Sequence, residues 1–81
     1  MCSHAIEKTS VTGSGKGTKG WFSLSTACVC FDHPYFTPLE RTLNIDFIDE
    51  ASGPEARVAV ELSPDSARAL ARSIQLALEG G

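Results

Sequence analysis

Apolar side chains return at every second position in three stretches of the chain, and this spacing predicts strands. Residues 26–33 place Val29 and Phe31, with Ala27 and His33, on one face and Cys28, Cys30 and Asp32 on the other. Residues 41–48 turn Leu43, Ile45 and Phe47 inward and Asn44 and Asp46 outward. Residues 56–62 turn Val58, Val60 and Leu62 inward and Arg57, Ala59 and Glu61 outward. Residues 4–11 read as a weaker first strand, on the β propensity of Thr9 and Val11.

The period then changes. Ala67, Leu70, Ala71, Ile74, Ala77 and Leu78 recur at helical spacing, with Arg68, Arg72, Gln75 and Glu79 on the opposite side. Ser63-Pro64-Asp65 supplies a cap, a first-turn proline and an acid at the positive end of the helix dipole. Gly80-Gly81 ends the helix, which is expected over 64–79.

Between the first two strands stands Gly13-Ser14-Gly15-Lys16-Gly17-Thr18-Lys19-Gly20, which reads as a loop. Trp21, Phe22 and Leu24 are expected to anchor that loop on the core.

The order β-β-β-β-α predicts a single α+β domain over residues 1–81: a four-stranded antiparallel sheet with one C-terminal helix packed on one face. That helix is expected to cover Val29, Phe31, Leu43, Ile45, Phe47, Val58, Val60 and Leu62. The other face carries Cys28, Cys30, Asp32, Asn44, Asp46, Arg57, Ala59 and Glu61, and is free for solvent or for a second copy.

Size and charge narrow the picture. A chain of 81 residues buries only about 60–65% of the surface its unfolded form exposes. The core is therefore thin, and a homodimer is expected. A net charge of −3, with no basic run, argues against nucleic acid. No apolar run reaches the roughly 20 residues that span a bilayer. The N-terminus lacks the layout of a secretory signal, so the expected compartment is the cytoplasm. Three cysteines, an odd number, argue against a disulfide framework.

Five segments together carry a resemblance: Gly13-Ser14-Gly15-Lys16-Gly17, Gly20-Trp21-Phe22, Phe31-Asp32-His33-Pro34, Thr42-Leu43-Asn44-Ile45-Asp46-Phe47 and Arg57-Val58-Ala59-Val60-Glu61-Leu62. In this order they resemble a family of small actinobacterial proteins, a domain of unknown function, over nearly the whole chain. The resemblance implies a free-standing bacterial protein and carries over no catalytic residue.

Three groups of residues have chemistry to offer. Gly13 to Thr18 resembles the end of a nucleotide-kinase phosphate loop. Ser10 holds the first glycine position, however, and no helix follows to face the phosphates. A looser anion site remains, built from Lys16, Lys19 and the amides of Gly15 and Gly17, with Arg57 as a further cation on the sheet.

The second group is metal-ligating. With Met1 removed, a free amine two residues before His4 suits square-planar Cu(II) or Ni(II), and Cys2 adds a thiolate. Cys28, Cys30 and His33, joined by Cys2 or His4, offer four ligands to zinc. Against this, Cys-x-Cys on a strand lacks a zinc-knuckle turn, and both thiols also read as small buried hydrophobes. No cofactor is called for.

The third group is Asp32 and His33, a carboxylate and an imidazole suited to general acid–base chemistry. Nothing in the sequence sets a nucleophile beside them, and the same residues suit a turn.

The resulting expectation is a homodimeric binding or accessory module with a protein or small-molecule partner. The alternatives are a small enzyme or ligand-handling protein of accessory metabolism using Asp32 and His33, and a Cys/His metal-binding protein.

Overall fold

A computed structural model describes residues 6–81. The elements run β1 (Glu7–Gly17), β2 (Gly20–Asp32), β3 (Thr42–Ile48), β4 (Arg57–Leu62) and α1 (Pro64–Gly80). The strands form one antiparallel sheet in the order β1-β2-β3-β4, the predicted β-β-β-β-α arrangement. Register sets Val29 opposite Ile45 and Ile45 opposite Val60, so the expected apolar row lies straight across the sheet. Ser63 caps α1 by accepting the Ser66 N–H at 3.2 Å.

The glycine-rich stretch is not a loop. Gly13 to Gly17 belongs to β1, paired with Leu24 down to Gly20, and only Thr18 and Lys19 make the turn. Gly20, at φ 110°, occupies backbone space that suits glycine and closes this turn. A β-bulge lies between Ser10 and Gly13. Bulges bend the strand pair, and beyond this one the hairpin tip lies over one end of the apolar face. There Ser14, Gly15, Lys16 and Leu24 line a shallow recess with Phe47 and Val58.

The alternation of β2 changes phase at the same place. Phe22 and Leu24 turn inward on the tip half, and Ala27 and Val29 on the other half. Trp21, expected to anchor the segment, instead faces solvent at 72% exposure.

Helix α1 sits over the other end of the face, where Pro64, Ala67, Arg68 and Ala71 line an open recess with Phe31 and Leu43. It does not cover the eight residues expected of it. Val60 remains 36% exposed, and no residue of α1 is buried. Leu70, Ile74 and Leu78 are 43%, 51% and 77% exposed. One end of the apolar face is thus closed by the hairpin, the other by the first turns of α1, and the centre is open.

Candidate functional site

The polar face is better ordered than its composition suggests. The connection from β2 to β3 leaves the sheet at His33 and folds toward β4. Three successive backbone N–H groups, those of Tyr35, Phe36 and Thr37, donate to the Glu61 carboxylate. The Phe36 and Thr37 bonds are 3.2 and 2.9 Å long. Hydrogen bonds to an ionised carboxylate favour its charged form. Those from Thr37 and then Tyr35 lower the Glu61 pKa to about 2.

The clamp fixes the backbone and leaves the rings of Tyr35 and Phe36 in solvent, at 98% and 87% exposure. Two exposed aromatics on an anchored loop are unusual in a monomer and common where proteins meet. Beside them, Arg57 donates from Nε to Asp46 Oδ1 at 2.9 Å. Tyr35, Phe36, Thr37, Arg57, Ala59 and Glu61 line an open recess of about 560 Å³. Sequence reading placed Arg57 and Glu61 on this face but missed Tyr35 and Phe36. Two consecutive aromatics between Pro34 and Pro38 were the available signal.

Asp32 and His33 do meet. The buried Asp32 carboxylate accepts from the His33 backbone N–H at 2.7 Å, and its Oδ1 lies 2.9 Å from Nδ1 of the ring. Asn44 donates to the His33 carbonyl at 3.3 Å, which ties the same turn to β3. The imidazole itself is 80% exposed. The pair therefore has a carboxylate that orients the ring, and the ring opens to solvent.

The anion-site candidates separate into different environments. A β-carbon at Gly15 would stand 3.2 Å from Leu24 Cδ2, and one at Gly17 would stand 3.2 Å from Phe22 Cε1. Both glycines thus serve close packing of the hairpin. Lys19 pairs with Glu55 at 2.6 Å, Arg57 pairs with Asp46, and Lys16 is exposed on β1.

The cysteines also differ from one another. Cys30 is buried and disulfide-bonded, which corrects the expectation that every thiol stays reduced. Cys28 is a free, half-buried thiol. Cys2 and His4 lie outside the described residues. Among the described residues no three His, Cys, Asp or Glu side chains gather as a metal site. Nor is any described helix long and apolar enough to cross a membrane.

The fold and its surface define a small α+β protein: an antiparallel meander with an uncovered helix and an anchored aromatic loop on its polar side. The chain belongs to the family of unknown function DUF6295, whose model matches residues 1–80. No curated protein and no solved structure matches it.

Proposed function

We propose that the protein is a homodimeric binding module whose apolar surface is buried against a second copy. The observation that carries this reading is the area left uncovered. The chain, of 8.6 kDa, exposes 6191 Å². A folded monomer of that mass exposes about 4,700 Å². An allowance of roughly 800 Å² for residues 1–5 still leaves an excess of about 700 Å². That matches the ~800 Å² each partner contributes to a standard interface.

The radius of gyration agrees: 13.3 Å against about 11.7 Å for a compact chain of this length. The excess has a location. It lies along the α1 stripe of Leu70, Ile74 and Leu78 and over the open centre of the apolar face at Val60. A module dimerised there keeps the recess beside Tyr35 and Phe36 for its partner or ligand, because that recess lies on the polar side of the sheet.

Light scattering on the purified protein tests the reading. A mass of twice the chain at micromolar concentration is expected, and a monomer across the accessible range overturns it.

A further inference from the structure

The seam of such a dimer is written into β4. The Asp49 N–H donates to the Ala56 carbonyl at 3.1 Å, just beyond the β3–β4 ladder. Hydrogen-bonded and non-bonded pairs alternate along an antiparallel ladder. The bonded pairs are therefore Phe47–Val58, Ile45–Val60 and Leu43–Leu62. It follows that the backbone groups of Arg57, Ala59 and Glu61 point away from β3. Those of Ala59 and Glu61 point along the outer edge, since β4 is the last strand of the sheet, whereas the Arg57 N–H is taken by the Glu55 carbonyl at 3.0 Å.

This edge carries charges at Arg57 and Glu61 but no lysine, bulge or proline. Charged edge lysines, bulges and prolines keep sheet edges from pairing. The β1 edge has Lys8 and the bulge between Ser10 and Gly13. β4, Arg57-Val58-Ala59-Val60-Glu61-Leu62, has none of these.

Its sequence is also complementary to itself. A two-fold axis through Ala59 sets Arg57 opposite Glu61 of the second copy, Val58 opposite its Val60, and Ala59 opposite its own mate. Both charge pairs then lie on the polar face, shared with the Arg57–Asp46 pair and the Glu61 clamp within each chain, and both valine pairs lie on the apolar face. Centring the axis on Arg57 or Glu61 would oppose like charges, which is destabilising. Shifting the Ala59 register by one residue places Glu55 opposite Glu61 or leaves Arg57 facing Ser63.

We propose that β4 pairs with β4 of a second copy, antiparallel about Ala59, joining two four-stranded sheets into one. This rests on the dimer reading above and adds its geometry. The two-fold axis stands perpendicular to the sheet, so both α1 helices lie on the same side, over apolar faces that have become continuous. On the opposite side the two recesses lined by Arg57, Ala59 and Glu61 abut across the seam. Each copy thereby contributes to its partner's recess.

Amide hydrogen exchange on the unmodified protein, read residue by residue alongside light scattering, tests the seam. In a dimer, the Ala59 and Glu61 amides should exchange more than about tenfold slower than in dilute monomer. A dimer in which both amides exchange as freely as in the monomer overturns the seam and leaves the dimer standing. A monomer at every concentration overturns both.

A charge exchange gives a second measurement. Arg57→Glu and Glu61→Arg each oppose like charges and should each be monomeric alone. Mixed in equal amounts they restore both ion pairs and should form a heterodimer. No heterodimer from two variants whose circular dichroism matches the parent, while Glu61→Ala without its clamp still dimerises, would overturn the register.

Discussion

Gly15 lies directly against Val58: a β-carbon at position 15 would stand 3.3 Å from Val58 Cγ2, and 3.2 Å from Leu24 Cδ2. The hairpin tip closes over the apolar face because this residue has no side chain. Two positions earlier, Gly13 has nothing within 4 Å of its would-be β-carbon. Neither glycine has a positive φ, so the same substitution separates packing from backbone freedom. Gly15→Val should destabilise by about 1–3 kcal/mol through overpacking. Gly13→Val should be neutral or stabilising by up to about 1 kcal/mol, through strand propensity. Thermal denaturation of the two variants checks this, and equal effects would remove the packing role assigned to Gly15.

These glycines also mark where the sequence stops being legible. Strand alternation on either side of Pro34 and Pro38, and the helical period after Ser63, depend on residues near one another in the chain. They gave β3, β4, α1 and the apolar row of Val29, Ile45 and Val60. The Gly13–Gly17 segment was misread because glycine content signals a turn, whereas here it allows a close approach by Leu24, Val58 and Phe22. Those neighbours come from register and bulge placement, which one sequence does not contain. Trp21 was misplaced for the same reason, since the bulge resets which side chains face inward. Asp32 and His33 were legible as a pair because they are adjacent. The clamp of Glu61 on residues 35–37 spans 24 to 26 positions and left no local pattern.

The Glu61 clamp has a defined response to acid. Its folded pKa, about 2, lies below the ordinary 4.5. The unfolded chain therefore takes up this proton first as pH falls. The contribution of the clamp is complete above about 4.5 and is lost progressively as pH falls toward about 2. Amide resonances of Tyr35, Phe36 and Thr37 should hold their positions through pH 4.5 and move together nearer pH 2. In Glu61→Ala the same three amides should exchange faster at neutral pH. Midpoints near the ordinary carboxylate value would show that the clamp does not form.

The cysteines give a simple count. Among the described residues Cys30 is disulfide-bonded and Cys28 is a free thiol. Ellman's reagent should detect one thiol per chain in denaturant without reductant, and three after reduction. Three thiols before reduction would show that the disulfide is absent. Alkylating Cys28 in the native protein should be slow relative to a free peptide thiol, because the side chain is half-buried on the central part of β2.

The stripe on α1 separates a monomer from a dimer most directly. Ile74 is 51% exposed within one chain, so Ile74→Glu removes little from the isolated fold. Exposed positions of this kind change stability by about 0.5 kcal/mol or less. If a second copy covers the stripe, the same substitution buries a charge in an apolar interface twice per dimer. Each lost isoleucine burial is worth about 1.5–3 kcal/mol. Dissociation should then strengthen by at least about a hundredfold, since each 1.4 kcal/mol is a factor of ten. Ala69→Glu, about 140° around the helix from Ile74 and exposed, adds the same charge and should leave the dimer intact. Sedimentation equilibrium on both variants reads the difference, and equal association constants would place the buried surface somewhere other than this face of α1.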